Sequence, residues 1–342
     1  MGGGFRLHPR KIALEEHFAL PETLEAEWQT SVGADYARAV ARTSEMFRHR
    51  VQDLGAGRIE EMDGAGVEVA VLSLAAPGVQ GIRGLADAIA ASRRVNDYLA
   101  EHIVKFPGRL KGFAAVPMHD AEAAAAELTR CVKELGFCGA LVNGFSENGE
   151  SSSVSYYDAP RYRTFWAVVQ ELDVPVYLHP RSPAGGQPAY EGHEWLAGSV
   201  WGFAAETSVH ALRLMGSGLF DQYPALRIIV GHLGEGLTFN LWRVDHRLAT
   251  LRRGEAMGRG PRARQPLTTY LRGNFYVTTS GNFHTPALAN AIAEVGVDRI
   301  LYSVDYPFED MAEAAAWFDA APLDERDRLK IAQANARALL RL

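Results

Sequence analysis

Residues 11–18 read KIALEEHF and residues 299–305 read RILYSVD. These two runs stand at opposite ends of the chain, and together they decide the fold. Each is apolar until it closes on residues that bind metals or carry protons: Glu15 and His17 in the first, Asp305 in the second. Residues i and i+2 of a strand share a face, so Glu15 and His17 project together while Glu16 points away. Two further runs behave alike: VPVYLH (174–179) closes on His179, and LRIIVGH (226–232) closes on His232. Isolated histidines scatter, whereas ligand types that repeatedly close strands imply that the strand ends meet. They meet at one mouth in a parallel (β/α)8 TIM barrel. The alternative is a doubly wound open sheet, in which the first and last strands lie apart. The barrel is preferred because both of those strands close on ligand types.

Outward from these runs, apolar and amphipathic segments alternate. VEVAVLSL (67–74), RLKGFAAVP (109–117), CGALVNG (138–144) and NFYVTTS (274–280) complete eight expected strands. Helices are expected at 85–106, at 120–136 with Asp120 as N-cap, at 161–172, at 199–216, from about 235, and at 285–295. Two more, at 309–320 and 324–342, close the chain. No change of composition separates the halves, so 11–342 reads as one catalytic barrel and 1–10 (MGGGFRLHPR) as a disordered leader. Two loops stand out. FSENGESSSVSYYDAP (145–160) follows strand 4 and is expected at the mouth, and RRGEAMGRGPRARQP (252–266) is expected on the opposite face.

The 342 residues are 47% hydrophobic, enough for one large core, and carry a net charge of -6. That balance offers no electrostatic footprint for nucleic acid or an anionic membrane. No run approaches the ~18 apolar residues of a membrane span, and a cytoplasmic protein is expected. The two cysteines, Cys131 and Cys138, are expected to be reduced packing residues rather than a disulfide framework. No phosphate-cradling glycine motif follows a strand, no GxSxG elbow is present, and no lysine closes a strand.

Glu15, His17, His179 and Asp305 make a mixed nitrogen and oxygen set without thiolate, suited to Zn²⁺, Mn²⁺ or Fe²⁺. Two carboxylates favour the harder Mn²⁺. His232 is followed three residues on by Glu235. It is either a fifth ligand or an imidazole whose one nitrogen is held by the carboxylate, leaving the other for proton transfer; the second reading is preferred. Arg243, two helical turns past Glu235, is either a solvated surface residue or a clamp for an anion. The aromatic residues after strands, Phe18, Trp195, Trp201, Phe203, Phe283, Tyr306 and Phe308, either pack ordinarily or line a slot for a flat ring. Phe18 and Phe203 are the expected slot residues, and His119, after strand 3, is held in reserve.

The order of these ligand types resembles the amidohydrolase superfamily. The stretches KIALEEHFALPETL, ALVNGFS, ELDVPVYLHPR, HALRLMGSGLFDQYP, GHLGEGL, VTTSGNF and DRILYSVDYPFE are similar to the γ-resorcylate (2,6-dihydroxybenzoate) decarboxylase family and its 2,3-dihydroxybenzoate relatives, over roughly 11–342. The resemblance implies one divalent ion, Mn²⁺ or Zn²⁺, on Glu15, His17, His179 and Asp305. It places His232, Glu235 and Arg243 in the substrate pocket, implies a homotetramer, and needs no organic cofactor. The implied reaction is the reversible, non-oxidative decarboxylation of a small aromatic hydroxy acid, 2,6-dihydroxybenzoate to resorcinol and CO₂, by protonation of C1. Asp305 is the first candidate acid, and His232 with Glu235 the second. A rival on the same barrel is a metal-dependent lactone or amide hydrolase in which Asp305 takes a proton from water. The chain departs from the family in its N-terminal extension and through about 25–58, where a substrate-covering segment is expected.

Overall fold

The computed structural model describes residues 8–20, 45–149, 153–185, 187–253 and 260–342. Its parallel strands are β1 (Lys11–Phe18), β2 (Val67–Leu74), β3 (Leu110–Gly112, resuming at Ala114–Ala115), β4 (Ala140–Asn143), β5 (Val176–His179), β6 (Ile228–Val230), β7 (Phe275–Thr278) and β8 (Ile300–Leu301). They pair in chain order as two arcs that share β3. Its halves turn to different neighbours on either side of Phe113: Gly112 registers with Leu72 and Ala114 with Ala140. The other seam joins β1 to the chain after β8. There Glu16 bridges Tyr306, the His17 amide donates to the Tyr306 carbonyl at 2.6 Å, and the Asp305 amide donates to the Glu15 carbonyl at 3.0 Å. The architecture is the (β/α)8 barrel that the alternation predicts, with the ligand-bearing strand ends on one side.

Two departures from regular pairing shape that side. The register of β1 against β2 slips between Ala13 and Glu16. Before the slip, Ile12 and Leu14 face the inner cluster with Val69, Val71, Leu141, Tyr177, Ile229 and Leu301. After it, the inward parity passes to Glu15 and His17, while Phe18 joins the layer between strands and helices. A bulge of this kind re-aims side chains next to a site. The amides of Leu14 and Glu15 donate to Ser303 Oγ, at 3.2 and 2.6 Å.

Strand β8 is the second departure. The expected run 299–305 pairs over Ile300–Leu301 alone. Beyond it, other groups take the amides: Thr279 Oγ1 accepts from Ser303, Glu16 Oε1 from Val304, and the Ile331 carbonyl from Tyr302. The segment from Tyr302 to Val304 is thus braced largely by side chains before Asp305 and Tyr306 rejoin β1 through backbone hydrogen bonds.

The helices meet expectation with trimmed ends, as at Leu85–Ile103, Ala121–Lys133 and Thr285–Val295. Asp120 caps its helix by accepting from the amides of Glu122 and Ala123. The final helix packs Leu339 and Leu340 against the inner cluster. Cys131 and Cys138 are buried free thiols. The stretch 145–160 holds an antiparallel hairpin, Ser146–Asn148 with Ser153–Ser155. Residues 1–7 of the expected leader, 25–44 of the expected covering segment and 254–259 of the basic loop lie outside the described residues. The rest of the covering segment holds the helix Glu45–Gln52 and the start of Ala56–Ala65.

Candidate metal centre

Glu15, His17, His179 and Asp305 converge: one ligand atom from each lies within 4.8 Å of the others. Glu15 and His17 are fully buried on β1, His179 closes β5, and Asp305 reaches in from beyond β8. His179 Nε2 stands 3.3 Å from Glu15 Oε1, and His17 Nε2 stands 3.2 Å from Asp305 Oδ1. The two imidazoles meet edge to face at 4.6 Å. Glu15 Oε1, His17 Nε2 and Asp305 Oδ1 are buried without a hydrogen-bond partner. Orphaned polar atoms are costly unless something satisfies them. A divalent cation fits, because the orphans are two carboxylate oxygens and an imidazole nitrogen facing one point.

The electrostatics agree. Burial pushes the Glu15 carboxyl above its usual range, and the Asp305 charge adds to that push. Burial and the neighbouring His17 hold His179 well below an ordinary histidine, hence neutral and able to donate a lone pair. The other nitrogen of His17 is 3.2 Å from Ser73 Oγ on β2, a partner that orients the ring.

His232 lies beside this cluster. Its Nδ1 is 2.7 Å from Glu235 Oε1, and its Nε2 is 3.6 Å from Asp305 Oδ2. Burial works against its charged form. The Glu235 and Glu15 carboxylates, with Asp305 close by, outweigh that and hold the imidazole well above its ordinary value. For Asp305, burial favours the neutral acid, but the neighbouring His17 and His232 imidazoles bring it below the usual carboxylate range. Glu235, His232 and Asp305 thus stand in line, with the imidazole between the two carboxylates. The backbone here is unusual: His232, Leu233, Glu235 and Asp305 have φ of 52°, 57°, 54° and 80°. Non-glycine residues in this left-handed region gather at functional sites.

The remaining expected residues are placed unevenly. Phe203 is half-buried in the first turn of the helix Gly202–Gly216. Arg243 is exposed on the helix Leu237–Arg253. Phe18 is fully buried and stacks on Tyr98 at 6.3 Å, in the layer between β1 and the helix Leu85–Ile103. It is therefore removed from the mouth, as its position one residue after His17 requires of an alternating strand. His119 takes no part in the four-residue cluster. Phe308 does reach the site, edge-on to His17 at 5.7 Å and 5.2 Å from Phe47. Phe308 is one of the aromatics after strands; Phe47, on the helix Glu45–Gln52, has no strand-end signal to mark it.

The profile of the family described as Amidohydrolase matches residues 17–342. The chain is 50% identical over 333 residues to a γ-resorcylate decarboxylase of Rhizobium sp. (strain MTP-10005), covering 97% of this chain and 98% of that one. Its fold matches a crystal structure of 2,6-dihydroxybenzoate decarboxylase complexed with 2,6-dihydroxybenzoate, with a TM-score of 0.87 and 49% identity over 97% of this chain and 98% of the other. A dihydroxybenzoic acid decarboxylase from Polaromonas sp. JS666, with bound manganese and the inhibitor 2-nitroresorcinol, matches with a TM-score of 0.87 and 50% identity over 97% of each chain.

Proposed function

The chain belongs to the amidohydrolase family, and from that premise we propose that it is a metal-dependent carboxy-lyase converting 2,6-dihydroxybenzoate to resorcinol and CO₂. The observation that carries this reading is the buried Glu15, His17, His179 and Asp305 cluster with His232 beside Asp305, in a chain that matches γ-resorcylate decarboxylases over nearly its whole length. Glu15, His17, His179 and Asp305 would hold one divalent ion. Mn²⁺ is favoured over Zn²⁺ by the two carboxylates and by the manganese in a relative at 50% identity. Such an ion would supply Lewis acidity and help to orient the substrate.

The chain's own residues then manage one proton. His232 Nε2–H passes it across to Asp305 Oδ2, and Glu235 stabilises and orients the imidazole throughout. Asp305 delivers the proton to C1 of the ring, which loses aromaticity. The bond from C1 to the carboxylate breaks, its electron pair returns to the ring, and CO₂ leaves. His232 is reprotonated from solvent. At high bicarbonate the same residues run the reaction backwards. Phe308 and Phe203 flank the ring, and Arg243 serves the carboxylate. No organic cofactor enters this chemistry.

Residues 11–342 act as one catalytic unit. Two buried reduced thiols suit the cytoplasm; among the described residues no helix is long and apolar enough to cross a membrane. Exposed Phe239 and Trp242, at 80% and 69%, with Trp201 and Val200, favour burial against further copies of the chain in a homotetramer.

The test is a panel of hydroxybenzoates and hydroxynaphthoates assayed for CO₂ release, with metal content measured on the same preparation. The expected result is CO₂ from 2,6-dihydroxybenzoate in proportion to bound metal. Turnover of lactones or amides without CO₂ would assign the chain to hydrolysis instead.

A further inference from the structure

The two oxygens of Glu15 live in different worlds. Oε1 is buried, has no hydrogen-bond partner and stands 3.3 Å from His179 Nε2. Oε2 accepts hydrogen bonds from the Tyr177 hydroxyl of β5 and from Ser280 Oγ just past β7, and Thr278 Oγ1 of β7 lies 3.3 Å away. All three donors are fully buried. They also touch one another, since Thr278 Oγ1 is 2.8 Å from both the Tyr177 hydroxyl and Ser280 Oγ. Gly231 closes the remaining side: a Cβ there would come within 2.9 Å of Oε2. The lone pairs of Oε2 are thereby spent, because each hydroxyl brings one proton and the oxygen has no open direction left.

From this arrangement we infer that Tyr177, Ser280 and Thr278 are positioning residues that restrict Glu15 to a single metal-binding oxygen, Oε1. The inference rests on the metal reading above and deepens it. A free carboxylate can close on an ion through both oxygens and occupy two coordination positions. A carboxylate pinned at one oxygen occupies one, and leaves room for the two oxygens of an ortho-hydroxy acid. Ser280 does a second task. It accepts from the His232 amide at 3.2 Å while donating to Glu15. The same hydroxyl therefore fixes the distance between the metal cage and the residue that carries the proton.

The test is a titration of metal-free protein with Mn²⁺ and Zn²⁺ in competition with a chromophoric chelator, with the melting temperature of each metal-free variant as the folding control. Tyr177→Phe and Ser280→Ala each raise the dissociation constant by about 10–100-fold, the range for loss of groups that orient ligands. Thr278→Ser, which keeps its hydroxyl, stays near the parent, whereas Thr278→Val follows the weakened variants. Electron paramagnetic resonance of the Mn²⁺-loaded Ser280→Ala variant shows a changed zero-field splitting. If Tyr177→Phe fails to fold, Ser280→Ala and Thr278→Val carry the same reading. Folded variants that bind Mn²⁺ within twofold of the parent overturn the clamp and leave the cage intact. A parent protein that binds neither ion overturns the cage itself.

Discussion

The proposed function gives Asp305 two duties, ligand and acid, and the geometry sets His17 beside one of its oxygens and His232 beside the other. Asp305→Asn keeps the shape and removes the transferable proton, so turnover falls at least about 10²–10⁴-fold, the usual worth of a positioned acid. The variant is compared with the parent at equal bound metal, and a rate within tenfold removes Asp305 as the acid. His210 offers a pH prediction away from the metal. It is buried, and burial with the nearby Arg213 lowers its imidazole to about 3. Its neutral Nε2 accepts from the Tyr157 amide at 3.2 Å. The unfolded chain binds this proton near pH 6.5. The stabilisation is therefore full above pH 6.5 and is lost as pH falls towards 3. Urea midpoints measured from pH 7 to 4 should show the advantage of the parent over His210→Gln shrinking with acid; a constant difference contradicts this. The four cage residues were legible because each is a ligand type closing an apolar run. Tyr177, Thr278 and Ser280 were not, since hydroxyl residues in strands are common and their convergence on Glu15 exists only after closure. Phe18 misled because its place in a mouth-bound sequence hides its outward parity.

At the scale of elements, the site is made by irregularity. The bulge in β1 hands the inward face from Leu14 to Glu15, and the segment after β8 leaves its ladder to bring Asp305 across to the Glu15 carbonyl. Sequence locates the strands well because β1 and β2 are short apolar runs buried along nearly their whole length. It cannot give the bulge or the early end of β8, which are set by Ser303, Glu16 and Thr279 taking amides that a ladder would have used. Gly231 is the sharpest probe of this level. A methyl there meets both Glu15 oxygens, at 2.9 and 3.2 Å, and Ser280 Oγ at 3.2 Å. Gly231→Ala should cost about 1–3 kcal/mol of stability by overpacking and weaken Mn²⁺ binding. Chemical denaturation and metal titration check both effects, and a variant with parental affinity places Glu15 farther from Gly231 than it stands here.

For the whole molecule, the barrel was readable from alternation and from ligand types at both chain ends, because a (β/α)8 fold must bring β1 beside β8. A contact between copies would leave less trace in sequence, since exposure of single aromatics has no periodic signature. Trp242, stacked on His246 at 5.0 Å and largely exposed, is expected at a contact between copies. Trp242→Glu places a charge there and should shift the sedimentation coefficient from a tetramer to a smaller species; a parent that already sediments as a monomer refutes the assembly. The reaction itself is tested most directly by isotopes. Mn²⁺-loaded protein turning over 2,6-dihydroxybenzoate in D₂O should release CO₂ and give resorcinol with one deuterium at the carbon that bore the carboxylate. Oxygen from labelled water appearing in an organic product, without CO₂, would contradict decarboxylation and make this barrel a hydrolase.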